Sequence, residues 1–301
     1  MGIVSNALLL EKGLRADFMK SFNNGENPAD VMGMVMETKS SSASEKYGWL
    51  GEVAQLTEWK DERVLRGLSD YDYTLENKSY ESTLKVNKDA MDDDELGAVK
   101  LRVRDLAGRA RTHVRKLFFD ALVAGTAELG YDGVPFFSNS HMESGAAQDN
   151  LLGYTMAGTA VTAAEFAEAF KAARTSIRGY NDDQGEPKNE GELKLKVVCG
   201  PNLEGVIDEV LTASMLNSTT NTLKGAAKKL VSSRLSGNDF YILDESGDIK
   251  PMIKQERQPI KFESQEKGER AFMRKELLFG VDYRVGFGYG LWSKAVKQVQ
   301  S

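Results

Sequence analysis

Between Asp94 and Ala124 the apolar residues return every three or four positions, as Leu96, Val99, Val103, Leu106, Ala110, Val114, Leu117 and Ala121. That spacing puts them on one face of a single helix. At ~1.5 Å of rise per residue the helix is on the order of 45 Å long. This exceeds the width of a small domain and predicts a spine shared by several other parts of the chain. Asp92, Asp93, Asp94 and Glu95 open the helix with carboxylates that complement its dipole, and Gly125 supplies a stop.

The segment leading into the spine has the opposite character. From Tyr47 to Asp94 aromatic and charged residues follow one another without a regular apolar face: Tyr47-Gly48-Trp49-Leu50-Gly51, Glu58-Trp59, Asp61-Glu62-Arg63, Tyr71, Tyr73 and Tyr80-Glu81. Period-two positions over 70–88 predict two strands or one long hairpin limb. An isolated hairpin buries too little to offset the ordering of its backbone, so this limb needs a further surface to lie on. Large aromatics dominate both cores and interface hot spots. Trp49 and Trp59 lie where the chain has no core of its own, and burial between subunits is expected for both. Glu58, Asp61, Glu62 and Arg63 are their expected charged partners, which set register more than affinity.

Composition closes off several classes. The chain has 301 residues, 41% hydrophobic and 28% charged, enough for one large core or two modest ones. Ile3, Val4 and Leu8–Leu10 lack a basic leader and meet Glu11 and Lys12 too soon for a signal peptide, and no apolar run reaches the length of a membrane span. A cytosolic site of synthesis and no membrane partner are therefore expected. The single Cys199 excludes an internal disulfide or a cysteine-based zinc cluster, and its place at the end of an apolar strand reads as a small buried hydrophobe. A net charge of −6 argues against long-range attraction to nucleic acid as the organising force.

Residues 1–43 read as an arm with one short helix, Leu14–Phe22, and a flexible joint at Ser40–Ser44; the Met32, Met34, Met36 alternation has strand period. Loops with short strands fill 131–160. Thr162, with Glu165 three residues on, caps a second helix running through Phe166, Phe170 and Ala173 to Ile177. A strand at Leu193–Cys199 and a helix at Leu203–Leu216 follow. Short strands are expected at Leu230-Val231, Phe240–Leu243 and Ile260–Phe262, and the tail Phe272–Leu291 alternates as strand. Gly286-Phe287-Gly288-Tyr289-Gly290 lacks the strand-turn-helix setting of a phosphate loop and reads as a strand in close contact with another backbone.

No catalytic, metal or cofactor site is expected. His113 and His141 are the only histidines and have no ligand spacing. The acidic runs at 92–95, 182–183 and 244–248 read as a helix start and as turns. A hydrolase-like use of Asp132, His141 and a serine lacks the Gly-x-Ser-x-Gly elbow, and His141 shows no orienting partner in the sequence.

Five motifs occur in order: the Tyr47–Gly97 run; Tyr131-Asp132-Gly133-Val134-Pro135-Phe136-Phe137 with Ser140-His141; Val197–Glu204; Ile249-Lys250-Pro251-Met252-Ile253 with Gln255 and Arg257; and Phe279-Gly280-Val281-Asp282 with Arg284, closing on Gly288–Trp292. Together they span roughly residues 40–295 and resemble the major head proteins of Mu-like tailed phages, a branch of the Hong Kong 97 capsid fold. The resemblance implies an α+β fold with an N-terminal arm (1–43), an extended loop (44–91), a spine-helix peripheral domain (92–158), an axial domain (159–256) and C-terminal strands returning to the peripheral domain (257–301). It implies a structural protein, not an enzyme, that self-assembles as hexamers and pentamers into an icosahedral virion head around double-stranded DNA, with assembly in the host cytoplasm. A separate scaffold and protease, a portal and a decoration protein are the implied partners. The same fold also serves gene-transfer particles and bacterial cargo nanocompartments. Lys100, Arg104, Arg111 and Arg115 line one flank of the spine and Arg102, Arg109 and Lys116 the other. Contact with packaged DNA, pairing with an acidic arm or loop, and a solvated face all remain open for these rows.

Overall fold

The computed structural model describes residues 3–24, 29–48, 73–87, 96–143, 145–182, 185–216, 219–265 and 273–301. The spine helix forms over Leu96–Ala124 and joins two hydrophobic cores. Its first half buries Val99, Val103, Leu106 and Ala107 in a smaller core with Leu14, Phe18, Phe262 and Phe279. Its last turns carry Phe118, Phe119, Ala121 and Leu122 into the larger one. The side-chain period thus holds, while the burial centre moves from the expected Leu117 to the adjacent pair of phenylalanines.

The smaller core lies under a four-stranded sheet ordered β1 (Val35–Lys39), β13 (Met252–Gln265), β14 (Glu276–Tyr289) and β4 (Lys78–Asn87). Its backbone is the hairpin of β13 and β14, each of 14 residues, and β4 runs antiparallel along β14 from Asn87 opposite Glu276 to Lys78 opposite Val285. The limb predicted around 70–88 therefore has part of its supporting surface in its own chain. Ile260–Phe262, expected as a short strand, is the middle of β13. Register shifts between Glu256 and Gln258 and between Gln258 and Lys261 flank Pro259, which has no N–H to give the ladder, and this break makes one strand read as two.

The larger core lies in a five-stranded sheet ordered β11 (Lys228–Val231), β8 (Leu195–Cys199), β12 (Phe240–Asp244), β15 (Ala295–Gln300) and β7 (Leu151–Tyr154). Helix α4 (Ala163–Gly179), the spine being α3, packs on it through Phe166, Phe170, Ala173 and Ile177, and begins with the predicted capping box of Thr162 and Glu165. Helix α5 spans Glu204–Thr212, shorter than the expected 203–216. Ala213 is extended, and the Asn221 side-chain amide donates to the carbonyls of Val210 and Ala213, satisfying the helix end from outside.

Three expectations need correction. The last segment does not return wholly to the spine unit, because β15 inserts between β12 and β7, and β7 belongs to this sheet although it precedes residue 158. The arm does not project over its full length. Helix α1 (Ile3–Asn24) packs on the spine through Leu14 and Phe18, Val31 and Met34 are fully buried, and β1 runs parallel to β13. The serine run is no loose joint: the Glu45 carboxylate accepts from Ser40 Oγ at 2.8 Å and from the Ser41 N–H at 3.0 Å. These bonds hold its pKa below the ordinary carboxylate value.

Candidate functional site

Strand β2 (Ser44–Lys46) pairs antiparallel with β3 (Thr74–Glu76), so the two ends of the segment between them lie side by side. Trp49, Glu58, Trp59, Asp61, Glu62 and Arg63 lie outside the described residues, as do the carboxylates of 92–95. The structure thus describes the segment's root. There the glycine-aromatic run behaves as its sequence suggests. A Cβ on Gly286 would stand 2.9 Å from the Glu76 carbonyl oxygen, and one on Gly290 would overlap the Lys250 carbonyl, so β14 lies directly beneath other backbone.

The two basic flanks of the spine differ. Arg104, Arg111 and Arg115 face the chain's own N-terminal region: Arg104 approaches Asp17 at 3.5 Å, Arg111 donates to the Ser21 carbonyl at 2.9 Å, and Arg115 pairs with Asp30 at 2.6 Å and donates to the Val231 carbonyl. The guanidinium of Arg115 also sits over the Phe119 ring. Lys100, at the start of this row, is exposed. The other flank points outward. Arg109 pairs with Asp105 and Lys116 with Asp120, each one helical turn apart, while Arg102 is exposed. In one row Arg104 and Arg115 thus meet carboxylates of the same chain. The second row carries its counter-charges on the same helix, which weakens its pull on a phosphate backbone.

His141 does have an orienting partner, contrary to the sequence reading: its Nδ1 lies 2.5 Å from Asp132 Oδ2. Its Nε2 lies 3.1 Å from Asn150 Oδ1, and the Asn150 amide donates to the carbonyls of Phe136 and Trp292. Beside it Glu143 accepts from the Tyr131 hydroxyl, the Trp292 indole and Lys188. His141 is wholly buried, with both ring nitrogens engaged, so no substrate can reach it. The cluster ties the 131–150 loops to the C-terminal segment around Trp292 instead. The signal for it was in the sequence as Asp132, His141 and Trp292 inside two of the recognised motifs, but the pairing needed the fold.

The other expected turns behave as such. Asp182 accepts from the Glu186 N–H. Burial works against ionised Asp244, but bonds from Ser246, Lys294 and Lys194 outweigh it and hold its pKa below the ordinary value. Burial pushes the Cys199 thiol up to about 12, which makes it inert. Among the described residues no group of three or more His, Cys, Asp or Glu side chains could hold a metal ion, and no helix is long and apolar enough to cross a membrane.

Residues 8–165 and 231–301 match the family described as Mu-like prophage major head subunit gpT. The chain is 25% identical over 289 residues to the major capsid protein of Escherichia phage Mu, a match covering 95% of this chain and 72% of that protein. It is equally 25% identical, over 291 residues and with the same coverage of both chains, to the Mu-like prophage FluMu major head subunit of Haemophilus influenzae. In structure it is similar to a chain of the procapsid of bacteriophage JBD30, with a TM-score of 0.58 and 25% identity over 97% of this chain and 76% of that one.

Proposed function

The chain belongs to the family of Mu-like prophage major head subunits, the structural proteins of the phage capsid, and from that premise we propose that it closes a virion head as hexamers and pentamers. The fold of the shell-forming proteins it resembles is present, with a spine helix between two sheets. In this reading the four-stranded sheet and spine form the peripheral part of the subunit, and the five-stranded sheet forms the axial part near the centre of each ring. Residues 49–72, carrying Trp49 and Trp59, lie on a neighbouring subunit, with Glu58, Asp61, Glu62 and Arg63 setting register. Many weak contacts act together, and closure removes free edges.

The enclosed cargo is double-stranded DNA, held without sequence preference. Scaffold, protease and portal are separate chains, and a decoration protein binds the shell, as a capsid of bacteriophage JBD30 is decorated with minor capsid protein trimers. The match of both separated stretches to the head-subunit family carries this reading. Expression alone and then with neighbouring genes, followed by size exclusion and negative-stain imaging, tests it. Rings, tubes or shells are expected, and a clean monomer or dimer under both conditions would overturn it. The ultraviolet absorbance ratio of purified particles then separates a genome-filled head from a shell loaded with protein.

A further inference from the structure

Tyr47 and Tyr73 bracket the segment proposed to join subunits, and both tyrosines are fastened to the hairpin sheet. The Tyr47 N–H donates to the Tyr73 carbonyl at 2.7 Å, continuing the β2–β3 ladder by one step and tying the two stems together. A relay of side chains then crosses from strand to strand. The Thr38 hydroxyl on β1 lies 2.7 Å from the Tyr47 hydroxyl, which donates to Gln255 Oε1 on β13 at 2.8 Å. Gln255 is fully buried, and its amide donates to the Leu75 carbonyl on β3 at 3.2 Å.

The second stem is pinned from below. The Tyr73 hydroxyl accepts the Tyr289 N–H at 2.8 Å, and burial pushes its pKa up to about 12. A Cβ on Gly288 would overlap that hydroxyl and stand 2.9 Å from Leu75 Cδ1. Gly286 and Gly288 thus leave a bare saddle on β14 into which β3 settles. Asn77 braces the far side by donating to Ser40 Oγ at 2.9 Å.

We infer that Tyr47, Tyr73, Gln255, Gly286 and Gly288 are positioning residues for assembly: a rigid root that fixes the direction in which the extended segment leaves the body. This rests on the proposal that residues 49–72 join subunits. Every subunit then presents the segment at the same angle, and differences between hexamer and pentamer environments are absorbed elsewhere than at the Tyr47–Tyr73 root. A loop that swivelled at its base would need neither the glycine saddle nor a buried glutamine bonded to both stems.

The test compares Gly288→Ala, Tyr73→Phe and Trp59→Ala, each co-expressed with the neighbouring genes, with closed shells counted by electron microscopy against soluble subunit. Gly288→Ala is expected to leave helix content unchanged by circular dichroism and to give at least about tenfold fewer closed shells, since a small misdirection repeats at every contact. Tyr73→Phe keeps the ring and removes only the acceptor of the Tyr289 N–H, so it is likewise expected to lose shells. Wild-type shell yield from Gly288→Ala or from Tyr73→Phe overturns the inference. If Trp59→Ala also assembles normally, it is the underlying inter-subunit reading that fails. Should Gly288→Ala yield no soluble subunit, Tyr47→Phe decides: it deletes one hydroxyl and keeps the ring, loss of shells is expected, and wild-type yield overturns the inference.

Discussion

Trp292 lies flat on His141, their ring centroids 4.1 Å apart and their planes 3° from parallel, and neither side chain reaches solvent. The indole also donates to Glu143 at 3.2 Å, and Lys188 sits over its ring. Trp292→Ala would open a cavity and strip a partner from a buried carboxylate, a loss of about 3–5 kcal/mol. That is a large share of the ~5–15 kcal/mol that holds a typical domain together. The expected outcome is insoluble subunit, while Trp292→Phe folds with a lower urea midpoint.

Trp59→Ala should leave the subunit soluble and abolish closed shells, because the proposal places this side chain against a neighbour. Normal particles in negative stain would refute the assignment.

The two flanks of the spine should respond unequally. Arg115→Ala removes the pair with Asp30, the bond to the Val231 carbonyl and the contact with Phe119, at about 1–2 kcal/mol for a partly exposed site. Arg109→Ala loses one largely exposed partner on its own helix, and its denaturation midpoint should match wild type. Equal shifts in the two midpoints would mean that the contacts of Arg115 with Asp30 of α2 (Ala29–Met32) and with Val231 contribute nothing to holding the spine.

His113 gives the subunit an acid-sensitive joint between the spine and β14. Its Nδ1 bonds to the Tyr283 hydroxyl and its ring packs on Tyr80. Burial, then Lys116 and Arg234, pull its pKa below the ordinary 6.5, with Asp120 opposing. The unfolded chain therefore binds the proton more readily. This contribution to stability is complete above the unfolded value and falls as the pH drops through 6.5 towards the lower folded value. Denaturation midpoints measured from pH 7.5 to 5 should decline, and His113→Gln should flatten that decline.

The spine was legible because its apolar period is uninterrupted and nothing about it depends on distant residues. The capping box at Thr162 was legible for the same reason. What escaped was fixed by contacts remote in sequence. Asn221 ends α5 from outside the helix. Pro259 disguises one long strand as fragments. Strand β15 carries Lys297 and Gln298 in the interior of a sheet, where the Gln298 amide finds the Ala169 carbonyl at 2.8 Å, so its sequence does not look buried. The basic rows were visible as rows, but only the fold showed that one of them faces α1 and α2 while the other faces outward.

The placement of β15 has a consequence in time. This strand sits between β12 and β7, so the larger sheet stays divided until residues 295–300 have cleared the ribosome. A nascent chain can form the spine and the β13–β14 hairpin earlier, but the β7 edge of the larger sheet waits for β15. Of the two cores, the larger one is thus the later to close during synthesis.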